Sequence, residues 1–431
     1  MDTKVLNDYE GKKEEAKEWA EERYKDWYER ELTHVEKNAV KEYLDYTEQT
    51  KDLNKQLEET RGNIEKSEYR ELIEKIDSSL KKEHTDETMY VYRRINEQIF
   101  GFDEGSFRLE TGGLDNEKLA KFEELFLKIP SIIKENGYIE TSLSGESPNL
   151  NEEPVIYMKL KIPKGTHAAY IGNLSESEGT HDFLIDRGYG IQIKDASIVV
   201  QKAKNYVKVE ADLVTREELE QEIREYNKTL NKNLGLGSNA LCLELTERFI
   251  TINYRNAEKI VETIKNINID FLEEASAMLS DAYSNETLIN LVDDKITKNE
   301  SFNHLEGKDS NQLDENGTPI KYDNLNGLHL YLLDHATIVN ISKSPEPVLD
   351  TLHELGHALD DLAFFTISEK SNFTEIHIKE QPYFLPNPYF SNRKEYFAEA
   401  FAYFHSSDKD LNNKLKTQAP LTHEFIKNLE L

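Results

Sequence analysis

The stretch "DTLHELGHALDD", residues 350–361, decides how the rest of the chain is read. Residues four apart on a helix lie one turn above each other, so His353 and His357 can turn ring nitrogens toward a single cation. Glu354 lies one residue off that axis, close enough to reach a metal-bound water without ligating the metal. A catalytic zinc takes three protein ligands and keeps one position open, so a third ligand must come from elsewhere. The pattern that continues through a glycine to a third histidine fails, because Asp360 and Ala363 stand at those places.

A second stretch, "RKEYFAEAF" at 393–401, supplies the missing group. Glu395 and Glu399, four apart, share a helix face, while Tyr396, Phe397, Ala400 and Phe401 can pack the helix. Two carboxylates among bulky apolar residues are costly to bury without a task. Glu395 is the expected third ligand, and Glu399 is expected to hold a ligand histidine from behind, as zinc-bound histidines require. The lone histidines His329, His335 and His405 read as packing or surface residues.

The chemistry follows from the parts. Zinc acidifies a bound water, and Glu354 can act as general base toward it. The oxyanion then needs a donor, for which Tyr389 in "NPYFSNRKEYF" is the expected residue. The stretch "GLHLYLL" at 327–333 reads as a sheet-edge strand along which an extended substrate can lie, or as an ordinary hairpin strand.

Composition bounds the rest. A chain of 431 residues is too long for one core, and two or three domains are expected. A formal charge of −30 argues against binding nucleic acid or an anionic membrane. Cys242 is the single cysteine, so no intramolecular disulfide forms. No apolar run reaches the roughly 20 residues of a membrane span. The opening "MDTKVLNDYEGKKEEAKEW" shows no signal peptide.

Along the chain, residues 8–82 are charged and helical, with Trp19, Tyr24, Trp27 and Tyr28 expected on one helix face. From about 88 to 214 short β-like runs follow, among them "VIYMKLKI" and "YVKVEADLV". At 215 a helix is expected, with Thr215 as cap and Glu218 completing a capping box. Further helices are expected over 255–282, 346–365 and 393–405, a polar loop over 296–327, and a hairpin in "LHLYLLDHATIVNI". The best division lies near 215, giving domains 1–214 and 215–431.

"HELGHALDD", "EYFAEAF" and the closing "HSSDKDLNNKLKTQAPLTHEFI" together resemble the protease domain of the anthrax lethal factor family. The likeness continues upstream through "GIQIKDASIVVQKAKNYVKVEADLV" and "NKTLNKNLGL". It implies one catalytic zinc ion held by His353, His357 and Glu395, with Glu354 as general base, Tyr389 as catalytic tyrosine and Glu399 behind a ligand. It implies a protein or peptide substrate and a secreted toxin, or one delivered to the host cytosol. A pore-forming translocation partner belongs to the same picture, although no docking domain for it is recognisable.

Residues 8–214 also resemble ADP-ribosyltransferases of the iota-like binary-toxin type. "VYRRINEQIFGF" supplies Arg93 for the NAD phosphates. The family's Ser-Thr-Ser stands here as Glu140-Thr141-Ser142, and its Glu-x-Glu as Thr180-His181-Asp182. With one glutamate missing and the other shortened, NAD turnover is not expected. The fold class is therefore α+β: an ADP-ribosyltransferase-like mixed domain, then a mostly helical zincin-type metalloprotease domain with a small sheet. The expected protein is a monomeric zinc endopeptidase. One alternative is an NAD-dependent transferase acting through Arg93, Ser142 and Asp182, and another is a binding protein with a structural zinc.

Overall fold

The computed structural model describes residues 7–44, 48–128, 131–145, 155–174, 182–201, 204–313, 317–331 and 335–431. The chain forms two compact units, Met1–Glu220 with Arg248–Thr251, and Gln221–Glu247 with Ile252–Leu431. No helix among the described residues is long and apolar enough to cross a membrane.

The first unit opens with helices α1 (Lys13–Arg23), α2 (His34–Leu44), α3 (Glu48–Glu59) and α4 (Arg70–Leu80). The aromatic residues expected on one helix face do not share a helix. Helix α1 ends at Arg23, and a π-helical turn, Trp27–Glu31, follows. There the buried Trp27 indole donates to the Ser79 carbonyl at 2.9 Å, while Tyr24 packs edge-on against Phe183. Two buried aromatics with different partners pull the chain out of regular α geometry.

Strand β1 (Met89–Ile95) precedes a helix that the β-like reading passed over, α5 (Asn116–Phe126). Asp115 caps it through the Glu117 and Lys118 amides, and Leu119, Phe122 and Phe126 form its buried stripe. Then come β2 (Ile132–Lys134), β3 (Ile139–Thr141), β4 (Ile156–Ile162), β5 (Ala168–Tyr170), β6 (Phe183–Ile185), β7 (Gly190–Gln201) and β8 (Lys204–Val214). They form a five-stranded sheet in the order β1-β4-β8-β7-β2 and a three-stranded sheet β3-β6-β5. In β4, strict alternation of buried and half-buried residues marks a strand with one core face.

Helix α6 (Arg216–Leu234) follows. Its capping box forms as expected: the Thr215 amide donates to Glu218 Oε2 at 2.8 Å, and the Glu218 amide to Thr215 Oγ1 at 3.2 Å. Next are β9 (Leu241–Glu244), α7 (Ile250–Ile264), α8 (Ile269–Tyr283) and β10 (Ile289–Val292). The segment expected as a loop, 296–327, holds two short 3₁₀ turns, then an antiparallel hairpin, β11 (Asp309–Leu313) with β12 (Pro319–Lys321), and a third 3₁₀ turn, Tyr322–Asn324. Its side chains are mostly polar and exposed, so no apolar alternation betrays it.

The expected hairpin near 330 appears as β13 (Gly327–His329) paired with β14 (Thr337–Asn340), while Leu332–Asp334 lie outside the described residues. The second unit's main sheet runs β13-β14-β10-β9, with β9, β10 and β14 parallel and β13 an antiparallel edge. Strands β10 and β14 are buried at every residue, as central parallel strands are. The chain closes with α9 (Pro347–Leu362), α10 (Ser371–Phe384), α11 (Arg393–His405), α12 (Lys409–Gln418) and α13 (Pro420–Lys427).

Helices α9 and α11 cross at Gly356. A Cβ there would lie 3.0 Å from the Ala398 Cα and 3.2 Å from its carbonyl oxygen. In an open helix, Gly→Ala gains about 1 kcal/mol. At this crossing the obstacle is backbone, and overpacking a filled core costs about 1–3 kcal/mol. Gly356→Ala is therefore expected to lower the melting temperature, and a rise on calorimetry would show that the helices are free to separate.

Candidate metal centre

Helix α9 begins at Pro347, which suits the first helical position, and buries Leu352, Leu355, Ala358, Leu359 and Leu362. That stripe fixes the rotation of the helix and leaves His353 and His357 on the flank toward α11. Helix α11 is capped by Asn392, whose side chain accepts from the Lys394 amide, and buries Tyr396, Phe397, Ala400 and Phe401. Its Glu395 and Glu399 consequently face the histidines.

His353 Nε2 and His357 Nε2 lie 3.2 Å apart, and each lies 3.2–3.3 Å from Glu395 Oε2. A four-coordinate zinc with bonds of 2.0–2.1 Å sets its ligand atoms about 3.3 Å apart, so the triangle has the size such an ion requires. Two ring nitrogens facing each other at that distance repel unless a proton or a cation lies between them. Among the described residues these three form the one His/Cys/Asp/Glu group spaced to hold a metal ion. His353 Nδ1 meets Glu399 Oε2 at 2.8 Å, the place expected for Glu399.

The charges are set by burial and by neighbours. Burial pushes the Glu354 carboxyl up to about 8. It pushes His357 down to about 4. Burial works against ionised Glu395 too, but the bonds from His353 and His357 outweigh it and hold the carboxylate well below its usual range. Those to Glu395 and Glu399 likewise overcome burial and raise His353.

Glu354 lies against the edge strand: a Cβ on Gly327 would come within 2.7 Å of its Cγ, and the His329 amide donates to its carboxylate. The adjoining cleft, about 380 Å³, is lined by Gln312, Asn326, Gly327, Asp350, His353 and Glu354, among others. Tyr389, in the 3₁₀ turn Pro388–Ser391, donates from its hydroxyl to Glu395 Oε2 at 2.5 Å.

Two neighbours were not expected. Gln312 Nε2 donates to the Tyr389 hydroxyl at 3.4 Å, from the hairpin read as a loop. The Tyr331 hydroxyl lies 2.6 Å from His357 Nδ1. Tyr331 stands in the stretch read as a substrate strand, and no local pattern points to it. The lone histidines have other partners. His329 meets Thr337 and Asp361, and His335 meets Asp361 at 2.7 Å. His405 packs at a tilt against Phe401, and burial pushes it down to about 4.

In the first unit, Ser142 pairs with Tyr92 through two backbone bonds, which sets it beside Arg93 in the chain ladder. Pairing of Thr141 with Phe183 brings Asp182 to the same level, and the Leu143 amide donates to Asp182 Oδ1 at 3.0 Å. The Arg93 guanidinium, however, lies 3.6 Å from Glu135, which also takes Arg248 at 2.9 Å. Glu140 accepts from the Tyr43 hydroxyl at 2.6 Å. Burial pushes Asp182 up to about 6. Thr180 and His181 lie outside the described residues.

Comparison with known proteins matches both halves. The model of the ADP-ribosyltransferase exoenzyme family covers residues 16–216, and that of the N- and C-terminal domain of anthrax toxin lethal factor covers 239–429. Residues 16–216 belong to the ADP-ribosyltransferase exoenzyme family, and residues 239–429 are similar to the lethal factor domain. The chain is 25% identical to lethal factor of Bacillus anthracis over 87% of its own length. It spans 47% of that protein, about half. It is 28% identical to the Pro-Pro endopeptidase of Clostridioides difficile, over 42% of this chain and 80% of that one. To the mono-ADP-ribosyltransferase C3 of Hathewaya limosa it is 30% identical, over 43% of this chain and 71% of that one.

A ligand that binds only the folded state raises the melting temperature. Zinc is expected to do so for the unmodified chain and for Glu354→Gln, and to fail for His353→Ala. Thermal scans with and without zinc check this, and a full shift in His353→Ala would place the ion elsewhere.

Proposed function

We propose that this chain is a zinc-dependent endopeptidase of the toxin type, with residues 215–431 as its protease domain. The observation that carries the reading is the triangle of His353, His357 and Glu395, with edges of 3.2–3.3 Å. The resemblance to lethal factor and to a named endopeptidase supports it. Zinc held there supplies a Lewis acid and a water acidified toward neutrality.

The chain's own residues do the rest. Glu354, one residue off the ligand axis, takes a proton at its carboxylate as the nucleophile forms and returns it to the departing amine nitrogen. Its burial between α9 and the edge strand brings its affinity for protons toward neutral pH, where a general base works best. Tyr389, whose one hydroxyl proton meets Glu395 in the absence of substrate, turns it to the oxyanion as that charge develops. Glu399 holds His353 in the tautomer that leaves Nε2 free. The outer side of β13 offers main-chain groups to an extended substrate, with Gly327 keeping that path against Glu354.

Residues 1–214 form a transferase-like domain that, in this reading, does not turn over NAD. Arg93 lies 3.6 Å from Glu135, a carboxylate it shares with Arg248, and Glu140 adds an anion where a serine would face an anionic cofactor. The domain serves as a scaffold or docks the protein substrate away from the scissile bond. The substrate is a host protein, reached by secretion or by delivery through a pore-forming partner, and the protease acts as a monomer.

Glu354→Ala is expected to retain zinc and lose cleavage of a protein substrate, found by mapping new N-termini in a host-cell lysate. Normal cleavage by that variant would remove Glu354 from the mechanism. Tyr389→Phe is expected to lower kcat on the order of 100-fold with zinc content unchanged. Label transfer from NAD to protein is expected to be absent. Transfer that survives Glu354→Ala and disappears in Arg93→Ala would establish the transferase instead.

A further inference from the structure

Both candidate ligand histidines have their distal ring nitrogen bonded, but to different chemistry. His353 Nδ1 faces the Glu399 carboxylate at 2.8 Å, whereas His357 Nδ1 faces the Tyr331 phenol at 2.6 Å. Tyr331 follows the edge strand and is 26 residues from His357 in sequence. Its ring is held by two neighbours: the His329 ring meets it edge-on at 4.7 Å, and Lys394 Nζ lies 4.0 Å from its centroid. Lys394 directly precedes Glu395 on α11.

We infer that Tyr331 is the positioning residue for His357: its hydroxyl oxygen accepts the Nδ1 proton, fixing the tautomer that leaves Nε2 for the metal. The inference rests on the zinc reading and deepens it. A histidine that ligates through Nε2 carries its proton on Nδ1 and needs an acceptor there, or the ring turns and the ligand atom leaves the triangle. Tyr331 supplies that acceptor. Through the cation over its ring it also links the second ligand, on α9, to the helix that carries the third. A neutral phenol draws on the Nδ1 proton less than a carboxylate does. His357 is therefore the weaker donor of the pair, and the site is asymmetric.

The test uses the whole chain. Tyr331→Phe keeps the ring against His329 and Lys394 and deletes only the acceptor. Zinc affinity, measured by competition with a chelator, is expected to fall roughly 10–100-fold, with the melting temperature of the zinc-stripped protein unchanged. Cobalt(II) in place of zinc is expected to show shifted visible bands in the variant, a change that a purely packing role would not cause. An unchanged affinity together with an unchanged cobalt spectrum would overturn the inference. Nitrogen NMR of the histidine rings in the unmodified, zinc-loaded protein adds a check that needs no variant. His357 should be protonated at Nδ1, and a His357 bound through Nδ1 would contradict the proposal. If the unmodified protein binds no zinc, the protease reading fails, whereas zinc binding that Tyr331→Phe leaves intact removes only this inference.

Discussion

The close crossing of α9 and α11 is the constraint on which the site depends. Gly356 has no side chain, and Ala398 presents only its backbone at the contact, so the two helices come nearer than larger residues would allow. That approach lets a carboxylate on one helix reach imidazoles on the other at hydrogen-bond distance. Spread by one methyl group on each side, His353 and His357 would still share a face, but Glu395 would fall short of the ion they define. The apolar stripe of each helix does the remaining work, because packing sets the helix rotation and rotation aims the ligands.

Electrostatics explains why such a site is worth building. Glu354, Glu395 and Glu399 sit together with Asp350 near two histidines, in a region largely withdrawn from water. Burial of that many carboxylates is unfavourable unless a cation and well-placed donors offset it. Glu395 is held ionised by both histidines and Glu399 is bonded to His353, while Glu354 keeps a raised affinity for protons and no ligand bond. In the proposed mechanism two of these carboxylates are anchoring groups and one is available for proton transfer. Neighbouring acids often acquire different roles from such differences in surroundings.

Local chemistry was legible in the sequence where one element carries it whole. His353, Glu354 and His357 share one helix, Glu395 and Glu399 another, and the Thr215–Glu218 capping box spans a single turn, so spacing alone exposes each. Helix α5 was equally legible through Asp115 and the run Leu119, Phe122, Phe126, and was hidden only by the β-like runs around it. What the sequence conceals is pairing across long separations. The hydrogen bonds between Tyr331 and His357 and between Gln312 and Tyr389, and the ion pair of Arg93 with Glu135, each join residues with no periodic relation. The hairpin that carries Gln312 sends one apolar residue of β12, Ile320, against the core, too few for an alternation to read. The departure of Trp27 from α1 is of the same kind, decided by a carbonyl 52 residues away.

The central claim is that one ion is held by His353, His357 and Glu395 with a fourth position left for water. X-ray absorption at the zinc edge of the loaded protein tests it most directly. The account predicts four nitrogen or oxygen neighbours at about 2.0–2.1 Å, two of them imidazole, with one oxygen exchangeable against an added hydroxamate. A spectrum with three or more imidazoles, or with no exchangeable ligand, would mean a closed structural site and would contradict the account.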